Sequence, residues 1–105
     1  MTELRLIVST AAQRDIDGIG RFIAQDNATA ARNFVDRLTS CFERLQAMPG
    51  IGSMRDELEP GLLGRAFGNY IIYYRVIEGN LLIQRIIHGA RDQSATLDAA
   101  DESPQ

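Results

Sequence analysis

Arg75, Arg85, His88 and Arg91, with Tyr73 among them, are the residues of this chain whose types and spacing could do chemistry. Arginine presents a planar fork of donors that fits a carboxylate or a phosphate with two hydrogen bonds. Histidine is the side chain whose ordinary titration falls near neutral pH. Arg75 stands in one run of β-branched and aromatic residues, Tyr70 to Ile77, and Arg85 in a second, Leu81 to His88. His88 and Arg91 follow at the end of the second run. A charge inside such an apolar run must reach water, a partner or a ligand. Arg65 is a further arginine that a sheet could bring to the same place. The ordinary alternative is that each of these arginines pairs with a surface acid of its own chain.

The elements that must position this group follow from periodicity. The two runs flank Glu78-Gly79-Asn80, where Gly79 and Asn80 tolerate the positive φ of a tight connection, so Tyr70 to Ile77 and Leu81 to His88 are expected to pair antiparallel. Alternation puts Ile71, Tyr73, Arg75 and Ile77 on one face and Tyr70, Ile72, Tyr74 and Val76 on the other, the second set being the better candidate for the face beneath helices. In the last strand Leu81, Ile83, Arg85 and Ile87 oppose Leu82, Gln84, Ile86 and His88, and both sets are largely apolar. Leu4 to Val8 reads as a short first strand, followed by Ser9 or Thr10 as a helix cap. Ala12, Ile16, Ile19 and Ile23 then share a helical face. Gly18 and Gly20 inside this helix call for a reason such as close approach of another element. Asp26-Asn27 offers the cap of a longer helix whose stripe is Phe34, Val35, Leu38, Cys41, Phe42, Leu45 and Met48. Cys41 lies in that stripe and reads as an inert core thiol. Pro49-Gly50-Ile51-Gly52 ends the helix, a loop runs to about Gly64, and Arg65-Ala66-Phe67 opens a third strand. The helical stripes predict that Phe34, Leu38, Phe42 and Leu45 face the sheet together with Ile16, Ile19 and Ile23.

Composition narrows the function classes. The chain has 105 residues, 45% hydrophobic and 24% charged, enough for one domain burying roughly two thirds of its unfolded surface. Residues 1–92 are expected to form that domain, and residues 93–105 an acidic tail, a short helix or disordered. No run approaches a membrane span and no basic, apolar leader opens the chain, so a cytoplasmic location is expected. One cysteine excludes an internal disulfide, and one histidine with one cysteine makes a zinc site very hard to assemble. All 11 basic residues are arginine, and residues 1–92 hold 11 acids against them, so the net charge of −3 comes from Asp98, Asp101 and Glu102. Binding to nucleic acid by bulk electrostatics would need an excess of basic charge, so any such contact must rest on a local cluster.

In order along the chain, the first strand, the helical pair, Pro49-Gly50-Ile51-Gly52, Arg55-Asp56-Glu57-Leu58, Pro60-Gly61-Leu62, Asn69-Tyr70, Tyr74-Arg75-Val76 and His88-Gly89-Ala90-Arg91-Asp92 resemble the RelE/ParE superfamily of toxins, and its ParE, plasmid-stabilisation branch more closely. The resemblance implies an α+β fold in which an antiparallel sheet is packed on one side by an α-hairpin, in the order strand, helix, helix, strand, strand, strand. It also implies a toxin of a type II toxin-antitoxin system.

Two activities are open to such a chain. RelE-like relatives cut messenger RNA on the ribosome without a metal, which needs an acid, a base and cations around the scissile phosphate. His88 would be the acid or base, Tyr73 a proton donor, and Arg75, Arg85 and Arg91 the clamps. In that branch an arginine typically follows the first tyrosine of the strand, where this chain has Ile71. ParE-like toxins instead poison DNA gyrase by binding, and a ParD-like antitoxin neutralises them. The near-neutral body favours this second activity, with no catalytic residue, cofactor or metal. Tyr73, Arg75, Arg85, His88 and Arg91 then become residues that bind target or antitoxin. Both faces of the last strand are apolar while helices cover only one, so an antitoxin in a hetero-oligomer is expected to cover the other and border the arginine group.

Overall fold

The computed structural model describes residues 3–89. Its elements are β1 (Arg5–Val8), α1 (Thr10–Asp26), α2 (Ala28–Ala47), a 3-10 turn (Pro49–Ile51), β2 (Ser53–Met54), β3 (Leu63–Phe67), β4 (Tyr70–Ile77) and β5 (Asn80–His88). The expected tail, with its helix or disorder, lies outside the described residues, as does Arg91.

Short polar residues set the helix boundaries. The Ser9 hydroxyl accepts the Ala12 amide at 3.0 Å and Asn27 Oδ1 accepts the Ala30 amide at 2.9 Å, each satisfying a donor that the first turn leaves free. The two helices lie on one face of a five-stranded sheet of order β1-β5-β4-β3-β2. The sheet is mixed, because β1 joins β5 in parallel while the other pairs are antiparallel. The expected sheet lacks this parallel edge, since a four-residue strand carries no signal of its direction. The two-residue β2 also falls within what reads as loop.

Phe34, Leu38, Phe42 and Leu45 of α2 meet Ile72, Tyr74, Leu81, Ile83 and Ile86 of the sheet, with half-buried Ile16, Ile19 and Ile23 of α1 packed against them. The face assigned to β4 by alternation is thus the one under the helices. In β5 the register slips between Tyr73 and Tyr74, whose partners are Arg85 and Ile83, leaving Gln84 as an extra residue. Such a bulge reverses the alternation beyond it. Leu81 and Ile83 face the helices before it and Ile86 after it, which is why neither alternating set of this strand is the buried one.

The hairpin turns at Glu78 and Gly79, with φ of 49° and 81°, rather than at Gly79 and Asn80; Asn80 already belongs to β5. Gly18 and Gly20 have no atom within 4 Å of where a Cβ would stand, so close approach of another element does not explain them. Gly20→Ala should therefore raise the unfolding free energy by roughly 0.5–1 kcal/mol, read from urea denaturation; a destabilised variant would show a constraint that the backbone geometry does not reveal.

Candidate functional site

The sheet face away from the helices is covered at its centre by the chain itself. Residues 55–62 form a self-braced loop, with the Arg55 amide on the Leu62 carbonyl at 2.8 Å and the Gly61 amide on Asp56 Oδ1 at 2.9 Å. Leu62 and Tyr73 are fully buried, and the Arg55 guanidinium lies 5.9 Å from the centre of the Tyr73 ring. Tyr73, expected at a binding surface, is therefore part of the packing beneath this loop.

Arg75 anchors the loop. Its Nη2 donates to Glu59 Oε1 at 2.5 Å, its Nη1 to the Pro60 carbonyl at 2.9 Å and its Nε to Gln84 Oε1 at 3.0 Å. Gln84, the extra residue of the bulge, also donates to both Glu59 oxygens. The bulge thus turns a glutamine toward the same carboxylate that holds the arginine.

Arg85 is engaged at the other margin. Its Nε and Nη2 grip the two oxygens of Asp15 at 2.8 and 3.0 Å, which raises the guanidinium pKa further. Asp15 also accepts the Ile86 amide at 2.9 Å, while Ser9 gives its amide to the Ile83 carbonyl and its hydroxyl to the Gln84 carbonyl. The start of α1 thereby continues the hydrogen bonding of β5 after β1 has ended.

His88 is exposed and stands edge-on to Tyr70, ring centres 5.3 Å apart, and Tyr70 in turn meets Phe34 of α2. His88 therefore lies toward the helical side, across the sheet from Arg75. The structure brings Tyr73, Arg75 and Arg85 onto adjacent strands and closes both guanidiniums on the chain's own acids. It does not bring His88 into their company.

Arg65, expected beside Arg75 and Arg85, gathers instead on the helical side with Arg37 and Arg44, which are absent from the expected site. Arg37 and Arg44 of α2 and Arg65 of β3 line a cleft of about 400 Å3 between helix and sheet, with Cys41 on its wall. The Arg37 guanidinium lies 5.6 Å from the centre of the Phe67 ring. Its signal in the sequence is the seven-residue spacing of Arg37 and Arg44 on either side of Cys41, which the apolar stripe of the same helix obscures. Burial pushes the Cys41 thiol pKa up, against the fields of Arg65 and Arg44 that lower it. Cys41 should accordingly alkylate with iodoacetamide more slowly at pH 8 than a small free thiol does, since less of it is thiolate; a faster rate would mark it as activated.

No group of three or more His, Cys, Asp or Glu among the described residues could hold a metal ion. No helix among them is long and apolar enough to cross a membrane.

Comparisons with known proteins agree with this architecture. Residues 6–93 match the family model described as ParE toxin of type II toxin-antitoxin system, parDE. Toxin ParE3 of Caulobacter vibrioides is 30% identical over 94 residues, spanning 89% of this chain and 94% of that protein. The fold resembles a chain of the chromosomal ParDE system from P. aeruginosa, with a TM-score of 0.69 and 20% identity over 82% of this chain and 96% of that one. It resembles more loosely a chain of the RelBE2 toxin-antitoxin complex from Mycobacterium tuberculosis, with a TM-score of 0.56 and 21% identity over 83% and 99% of the two. With the family model spanning strand, helical hairpin and sheet alike, the chain belongs to the ParE toxins of type II toxin-antitoxin systems.

Proposed function

We propose that this ParE-type toxin acts in the cytoplasm by binding DNA gyrase and holding its cleaved complex with DNA, without cofactor, and that a ParD-like antitoxin neutralises it, the pair serving plasmid stabilisation. One observation carries the preference for binding over catalysis: Arg75 and Arg85 are each closed on a carboxylate of the chain, and Tyr73 is fully buried. Cleavage of a phosphodiester needs cations free to meet the phosphate and a proton donor open to it. Neither requirement is met by these three residues as they stand.

The surface that would bind is apolar and lies at the sheet margins. Ile7 on β1 and Ile77 at the hairpin tip are 40% and 42% exposed, and Met54 on β2 is 71% exposed. We assign target or antitoxin contact to this rim and to the end of β5 at His88, with Arg91 beyond it. Arg75 and Arg85 support that surface from within. Primer extension on messages translated with the purified toxin should reveal no toxin-dependent cuts, and His88→Ala should change nothing in that assay. Cuts within codons that vanish with His88→Ala would replace this reading with a RelE-like ribonuclease.

A further inference from the structure

The arginines of this chain divide by how they are neutralised. Arg55 pairs with Glu57, Arg75 with Glu59 and Arg85 with Asp15. Around the α2–β3 cleft the pattern fails: Arg37, Arg44 and Arg65 have no carboxylate partner among the described residues. Arg65 reaches only the Ile51 carbonyl, at 3.4 Å, and Arg37 is spread over Phe67. Arg5, Arg14, Arg21 and Arg32 also lack a carboxylate partner among the described residues, but they line neither this cleft nor the depression beside it. Guanidiniums that share a cleft with no carboxylate paired to them are open to anionic groups from elsewhere.

Its shape says what kind of anion. Arg37 and Arg44 lie about 10.5 Å apart along the helix axis at 1.5 Å per residue. A second depression of about 420 Å3 shares Asp36 and Arg37 with the cleft and continues past Asn33 to Ala30. Together they make a groove along α2, long for a single ion and suited to a few residues of extended or helical peptide. Its wall offers the Phe67 ring and Cys41 to apolar side chains, and three arginines against Asp36 leave a surplus of two positive charges. Duplex DNA is a poorer occupant, since residues 1–92 balance 11 arginines with 11 acids and give no wider field to hold a polyanion.

We propose that the groove along α2 receives an acidic peptide segment of the antitoxin, whose carboxylates enter between Arg37, Arg44 and Arg65. This rests on the reading above that a ParD-like antitoxin binds the chain, and it moves the ionic contacts of that complex away from Arg75 and Arg85.

The test measures the affinity of the full chain for the product of the adjacent open reading frame by titration calorimetry at low and high salt. Arg37→Glu with Arg44→Glu should weaken the complex by on the order of ten- to a hundredfold, more at low salt, with the melting temperature of the free toxin retained. Arg32→Glu, on the same helix outside the groove, should change it less than about twofold. Unchanged affinity in the double variant overturns the proposal, as does an equal loss in Arg32→Glu, which would mean a general charge effect. Duplex DNA binding lost by the double variant while antitoxin binding persists would assign the groove to nucleic acid and overturn it. A gain in affinity would overturn the proposal as well. If the unaltered chain does not bind its neighbour at all, the antitoxin reading itself fails, an outcome separate from these.

Discussion

Phe42→Ala is expected to lower the unfolding free energy by about 3–5 kcal/mol, because it empties a ring-sized space that the surrounding structure refills only in part. Phe42 is 5% exposed and sits between Leu38 and Leu45 in the α2 stripe, within the core cluster that also holds Ile72, Tyr74 and Ile83 of the sheet. Domains of this size are stable by only about 5–15 kcal/mol in total, so the loss should show as a large fall in the urea midpoint. By contrast, Val35 in the same apolar stripe is 43% exposed, and Val35→Ala should cost well under about 1 kcal/mol. Equal effects at the two positions would contradict the orientation of α2.

Asp15→Ala should be the most damaging change to a polar residue, at roughly 2–3 kcal/mol. The carboxylate, 16% exposed, serves two Arg85 nitrogens and the Ile86 amide. Its removal strands a backbone donor at the place where β1 has ended. The Arg85 side chain is 40% exposed and regains water, so the ion pair itself contributes the smaller share. Arg85→Ala should therefore cost only about 1 kcal/mol, since Asp15 keeps its bond to Ile86. Arg85→Glu would set two carboxylates together, and any weakening of a complex by that variant must be corrected for lost stability. Chemical denaturation of the three variants checks the order; a larger loss for Arg85→Ala than for Asp15→Ala would mean that the charge, not the backbone amide, is what Asp15 serves.

Why the sequence discloses some of this and not the rest can be seen residue by residue. The β4 face is readable because Tyr70, Ile72, Tyr74 and Val76 alternate without interruption against a mixed set containing Arg75. The β5 face is not, because the bulge at Gln84 shifts the alternation and apolar residues occupy both sets. The expected turn at Gly79 and Asn80 falls one residue late, because Glu78 accepts a positive φ that glutamate rarely adopts. At Arg75 and Arg85 the need for a partner is evident from a charge in an apolar run. The partners themselves, Glu59 and Asp15, lie 16 and 70 positions away and come together only through the fold. Arg37 and Arg44 look like ordinary solvent-facing helix residues until β3 brings Arg65 and Phe67 alongside.

The central claim is that this toxin works by binding protein rather than by cutting nucleic acid, and purified gyrase tests it most directly. Supercoiled plasmid, gyrase, ATP and the toxin should yield linear DNA after detergent and protease treatment, in an amount that rises with toxin and disappears when the product of the adjacent open reading frame is added first. Toxin without gyrase should leave the plasmid intact. Gyrase that supercoils normally and forms no trapped breaks at saturating toxin, alongside toxin-dependent cuts in translated messenger RNA, would contradict the account.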